Sequence, residues 1–345
     1  MSRNYGLDIA RIAAAYMVMF GHIVYGGTLS VGRPFTDWAG TSEKLPLLEQ
    51  NGNSWWLFDH YLLTHYGTAL AIIGVSLFFI ISGWLMPPML NKYGRINFLL
   101  NRVFRIFPML FVAVIIAALI QFFGGDRSTL NIVDVISTAT LTNKIFGLQM
   151  TLGVIWTLII EFQFYLILSF LGVITQRKVI TTALMFLLLV TIIAKMNVGE
   201  YCSHIISSSY YIVFMLIGSS ARIAFDEYKI KLAKKVFIYP LITFFVFEFI
   251  RYLTVYIIKI NPGQEINIIS QMLILLLFIT AMIIGLIVSS NIKIAGHIGR
   301  ISDLTYSIYL LHLSVGIFVL SRIRHLIQNE YVCIVLTFIV VIFLS

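Results

Sequence analysis

Arg11 and His22 stand eleven positions apart in the first apolar stretch of the sequence, LDIARIAAAYMVMFGH. At 100° per residue, an eleven-residue step returns to within about 20° of its start and climbs about 16 Å, so both side chains occupy one helix face. Histidine gains and loses its proton near neutral pH, and an ionisable group inside a bilayer is costly enough to mark a site. The chemistry open to such a residue is base catalysis at a hydroxyl or relay of a proton. Arg11 alone has a plainer reading, because an arginine near a membrane interface snorkels to headgroups. His22 lies deeper and is the more informative of the two, although a hydrogen-bonded structural histidine would also fit. Asp8 adds a carboxylate on the same stretch.

A second group of polar residues interrupts the fourth apolar stretch, GVIWTLIIEFQFYLI, which holds Trp156, Glu161, Gln163 and Tyr165. Glu161 falls about six residues into a helix running inward, roughly 8–10 Å below the outer interface. His22 comes to nearly the same depth, so the two are expected to form a base and its orienting partner, or two stations of a proton relay. In NRVFRIFP, Arg102 and Arg105 sit on adjoining faces of one turn just before Pro108, where the next span is expected to begin. Guanidinium forks suit phosphate, whereas the plain reading is anchoring at the cytoplasmic face. YSIYLLH sets Tyr306, Tyr309 and His312 along one side of the ninth stretch, with His312 the informative member. Asp8, Trp156, Tyr165, Tyr309 and His312 are carried as substrate-contacting or structural candidates. Gly74 to Gly83 reads as small-residue helix packing.

The elements that must position these residues are membrane helices. Of 345 residues, 59% are hydrophobic and 11% charged, far from the soluble norm of about 25% charged. The expected fold is all-α, a polytopic transmembrane bundle of about ten spans near 7–28, 65–88, 106–123, 155–174, 179–195, 208–225, 236–257, 268–290, 304–321 and 331–344. Basic residues concentrate in one set of alternate loops, including Arg3, Lys92, Arg95, Arg177, Lys178, Lys229 and Lys231, which puts both termini in the cytoplasm. The same placement ties the net charge of +9 to orientation and membrane lipid rather than to nucleic acid. The longest outer loop, about 29–64, is rich in Gly, Trp and Asn and is expected at the surface or capping a substrate groove. Cys202 and Cys333 lie far apart in apolar segments without metal-ligand spacing, so neither a metal nor redox chemistry is expected. A single membrane domain is expected, with no appended soluble domain.

Five segments in this order, LDIARIAAAYMVMFGH, FFIISGWLM, NRVFRIFP, WTLIIEFQFYLI and YSIYLLH, resemble the membrane acyltransferase type 3 family, which includes bacterial polysaccharide O-acetyltransferases. The family's arginine–histidine motif falls on Arg11 and His22, its paired arginines on Arg102 and Arg105, and its glutamate on Glu161. Here Phe162 stands in place of a second glutamate, and Thr157 and Ile159 in place of two serines. The resemblance implies an enzyme of the bacterial inner membrane that takes an acyl group from cytoplasmic acetyl-CoA and passes it to a hydroxyl of a polysaccharide, lipopolysaccharide O-antigen among them, or of a lipid-linked glycan. It implies donor binding by Arg11, Arg102 and Arg105, and catalysis by His22 as base or acyl carrier with Glu161 beside it. The competing expectations are a proton-coupled transporter or flippase of lipid-linked glycan, and an accessory subunit whose polar residues only pack.

Overall fold

A computed structural model describes residues 3–26, 54–66, 68–124, 130–196, 199–227, 268–289 and 292–345. Helix is the only regular secondary structure among them. Helix α1, Tyr5–Phe20, continues into a π-helical turn, Gly21–Gly26. Then come α2 (Ser54–Tyr66), α3 (Leu70–Tyr93), α4 (Arg95–Gly124), the short α5 (Ile132–Ala139) and α6 (Asn143–Phe146), and α7 (Ile155–Leu171). The series ends with α8 (Gln176–Met196), α9 (Gly199–Glu227), α10 (Ile268–Val288), α11 (Ile292–Leu311), α12 (Ser314–Arg324) and α13 (Glu330–Leu344).

Three of these helices are long and apolar enough to cross a membrane: Tyr5–Val24, Leu70–Tyr93 and Arg95–Phe123. The pair α11 and α12, bent by 72°, makes a fourth if taken as one broken span. The span expected at 304–321 is therefore interrupted at His312 and Leu313 rather than straight. The span expected at 236–257 and most of the loop at 29–64 lie outside the described residues, but residues 54–64 of that loop are helical, in α2. Pro108 does not open a helix: α4 begins at Arg95 and runs through it. Hydropathy locates where the apolar core begins, whereas the helix starts three turns earlier, in the basic segment. Neighbouring structure lets a membrane helix accommodate a proline.

Local signals account for several of the ends. Asn4 caps α1 by accepting from the Gly6 and Leu7 amides at 3.0 and 3.3 Å, and Asp8 follows in the positive first turn. Gly94 separates α3 from α4 at φ +72°. A Cβ there would meet no atom of the described residues within 4 Å, and the left-handed backbone calls for glycine.

The chain divides into two compact units. The first comprises residues 1–75, 103–159 and 279–345. In it α1 packs along α11, with Ala10, Ala14 and Val18 fully buried. Glycines set the closest approaches: a Cβ on Gly285 of α10 would stand 2.1 Å from the Gly6 amide nitrogen, and one on Gly74 of α3 would stand 2.6 Å from the Ala14 carbonyl oxygen. The second unit comprises residues 76–102 and 160–278. There α3 and α9 meet backbone to backbone at Gly83 and Gly218, and Ser219 Oγ donates to the Gly83 carbonyl at 2.9 Å. The small-residue packing expected for Gly74 to Gly83 is what the helices show.

Candidate active site

His22 is the second residue of the π-helical turn that ends α1. Such turns are rare and often sit at functional sites. Gly21, just before it, lies so close to Ala71 that a Cβ would stand 2.7 Å from the Ala71 amide nitrogen, which seats the turn against the start of α3. His22 is half-buried, and its Nδ1 lies 2.8 Å from Nε2 of His312. The two rings are nearly parallel, 8° apart, with centroids separated by 5.1 Å. His312 is fully buried in the two-residue break between α11 and α12. Its other nitrogen, Nδ1, lies 2.7 Å from the Tyr309 carbonyl and 3.2 Å from that of Ile308. Two histidines that lie 290 positions apart in sequence thus form one hydrogen-bonded pair.

The start of α1 is an ion network. Asp8, 3% exposed, accepts from Arg3 Nε at 2.7 Å and from Ser302 Oγ at 2.8 Å. Arg11 stands one turn on, its Nη1 3.7 Å from the same carboxylate. Arg3 also donates to Asp303 at 2.8 Å and to the Gly299 carbonyl at 2.6 Å, tying the start of α1 to α11. Hydrogen bonds from Arg3 to Asp303 and Asp8 hold its guanidinium charged well beyond the ordinary range.

Tyr309 and Thr157 share a hydrogen bond of 2.6 Å, and Thr157 also donates to the Val154 carbonyl at 2.9 Å. The tyrosine one turn before His312 is therefore fastened to the first turn of α7. Trp156, in that same turn, is half-buried. Tyr306 reaches α4, donating to the Ile106 carbonyl at 3.1 Å.

Glu161, Tyr165 and Arg102 belong to the second unit and are placed there by themselves. Glu161 Oε1 accepts from Ser82 Oγ at 2.7 Å and from the Tyr165 hydroxyl. Arg102 is 2% exposed; it donates to Asn101 Oδ1 at 2.7 Å and lies 6.0 Å from the ring centres of both Phe98 and Tyr165. Arg105, three residues on, is exposed. Along α4 the two arginines differ in burial: Arg102 is interior and Arg105 is at the surface. Among the described residues, no group of three or more His, Cys, Asp and Glu side chains could hold a metal ion.

Sequence reasoning singled out His22 and His312 separately and did not pair them. It also passed over Ser82, Ser302 and Asp303. Ser302 and Asp303 precede the YSIYLLH segment by a turn and carried no motif. The partners become visible only once α1 and α11 lie side by side.

The chain is 26% identical over 190 residues to nodulation protein 10 of Rhizobium leguminosarum bv. viciae, a match covering 49% of this chain and 44% of that protein. The chain therefore spans less than half of the length of this relative. No solved structure matches. A family described as an acyltransferase domain matches residues 4–345, almost end to end. That match, which takes in Arg11, His22, Arg102, Arg105, Glu161 and His312 together, means that the protein belongs to the type 3 acyltransferase family.

Proposed function

We propose that this protein is a membrane-embedded O-acyltransferase of the bacterial inner membrane, with about ten spans and both termini cytoplasmic. It moves an acetyl group from cytoplasmic acetyl-CoA to a hydroxyl of a cell-envelope polysaccharide or lipid-linked glycan. The observation that carries this reading is the His22 imidazole, half-buried at the end of α1 and held by a second histidine. A base in acyl transfer needs that setting: a ring fixed in orientation by a partner group.

His22 takes the proton of the acceptor hydroxyl as that oxygen attacks the thioester carbonyl, and returns it to the thiolate as the carbon–sulfur bond breaks. Arg105, exposed on α4, is the guanidinium assigned to the donor's phosphates, and Arg11 guides the pantetheine arm along the face it shares with His22. Arg102 backs this helix from within. Glu161, with its Ser82 and Tyr165 partners, is assigned a catalytic role on its match to the family's glutamate. The test is an NMR comparison of surface glycan from cells with and without the protein. Loss of an O-acyl signal in the deletion strain is expected, and identical glycan spectra would count against the reading.

A further inference from the structure

We propose that His312 is a positioning residue that fixes the His22 proton on Nδ1, leaving the lone pair on Nε2 as the base. The proposal rests on the reading of His22 as the base in acyl transfer and specifies which of its nitrogens acts. His312 Nδ1 faces two backbone carbonyl oxygens, at 2.7 and 3.2 Å. A carbonyl can only accept, so Nδ1 bears the hydrogen. A neutral His312 then presents its lone pair at Nε2, and that nitrogen lies 2.8 Å from His22 Nδ1. His22 must donate there. A neutral imidazole that donates from Nδ1 carries its lone pair on Nε2.

The fold makes this assignment one-directional. The inner ring, His312, is fully buried and tied to the last turn of α11, while the outer ring, His22, is half-buried. The 72° bend between α11 and α12 falls beside His312, so its ring sits where α11 ends. When His22 gains a proton at Nε2, its Nδ1–H bond to His312 becomes charge-assisted. The pair is further seated by Gly316 of α12, where a Cβ would meet the Ile23 side chain at 3.2 Å. His312 touches no reacting atom in this scheme; it acts through His22.

The first test reads the tautomer directly, by 15N NMR of histidine-labelled protein in detergent, with His22→Ala used to assign the resonance. A pyrrole-type Nδ1 and a pyridine-type Nε2 on His22 are expected. A proton on Nε2 of the neutral wild-type ring would overturn the proposal, whether or not any variant folds. In an acyl-transfer assay, His312→Phe should lower kcat by about 100-fold or more with KM for acetyl-CoA unchanged. His312→Gln offers an amide oxygen to His22 Nδ1–H and should recover about tenfold of that loss, the worth of roughly one hydrogen bond. Normal turnover by His312→Phe with an inactive His22→Ala overturns the positioning role and leaves the base in place. Normal turnover by His22→Ala overturns the underlying reading as well.

Discussion

Asp8 accepts the Nε proton of Arg3 at 2.7 Å, and this pair defines the setting of Arg11. The carboxylate is buried and also takes the Ser302 hydroxyl, so Arg11, at 3.7 Å, shares a counter-ion that Arg3 already holds closely. Arg11 therefore shares the Asp8 carboxylate with Arg3 and Ser302.

Asp8→Asn should therefore destabilise the protein by about 1–3 kcal/mol, because the arginine side chains and Ser302 lose their common charged acceptor. Arg11→Gln leaves the bond between Asp8 and Arg3 intact and should cost less stability than Asp8→Asn while weakening acetyl-CoA binding. Thermal unfolding in detergent and donor titration of the two variants measure these effects. Equal unfolding midpoints for Asp8→Asn and wild type would contradict the structural role.

The glycine contacts of the second unit give a stability prediction with an internal control. A Cβ at Gly83 would stand 1.9 Å from the Met215 carbonyl oxygen, and one at Gly218 would stand 2.1 Å from that of Ile80. Either alanine substitution should cost about 1–3 kcal/mol through overpacking. At Gly296, inside α11, a Cβ meets nothing within 4 Å among the described residues, so Gly296→Ala should stabilise by about 0.5–1 kcal/mol. Comparing unfolding midpoints of the three variants separates close approach from a general intolerance of substitution.

Asp59 provides a pH prediction. It is fully buried, its Oδ1 accepts from the Leu70 amide at 2.7 Å at the start of α3, and its Oδ2 has no hydrogen-bond partner among the described residues. Burial raises the carboxyl above its ordinary 3.8, against the opposing pull of the Leu70 amide. An acid with a raised folded pKa binds its proton more tightly when folded, so this group costs stability when ionised. That cost is relieved as pH falls from neutral through the folded pKa. Asp59→Asn keeps the acceptor and removes the charge, so it should raise stability at neutral pH and flatten the dependence. Asp59→Ala loses the helix cap, at a cost of about 1 kcal/mol. Unfolding midpoints across the acid range decide this, and parallel curves for wild type and Asp59→Asn would refute it.

Glu161 is held by two hydroxyls, from Ser82 and Tyr165. Glu161→Gln keeps the shape of the side chain but loses its charge, and should reduce turnover by about 100-fold with folding intact. Tyr165→Phe and Ser82→Ala each remove one of those hydroxyls and should have smaller effects. Turnover rates normalised to folded protein test the order, and a larger loss for Ser82→Ala than for Glu161→Gln would reverse the assignment.

The features legible in the sequence were those that a local pattern encodes. Apolar runs marked the helices. Glycines announced the close packing at Gly74 and Gly83. Features made by tertiary contact were not legible. Hydropathy averages over the break at His312, because the residues on both sides are equally apolar. The burial of Arg102 has the same sequence signature as an arginine anchored at the headgroups, and only the packing of Phe98 and Tyr165 around it tells them apart. The link from His22 to His312 spans 290 positions, and no local pattern reaches that far.

The central claim is that His22 is the base of an acyl transfer. The most direct measurement uses purified protein in liposomes, radiolabelled acetyl-CoA and a lipid-linked glycan acceptor, and compares wild type with His22→Ala. The account predicts label on a glycan hydroxyl with wild type and none above background with the variant, both proteins showing the same unfolding midpoint. Equal labelling by the two proteins would contradict it.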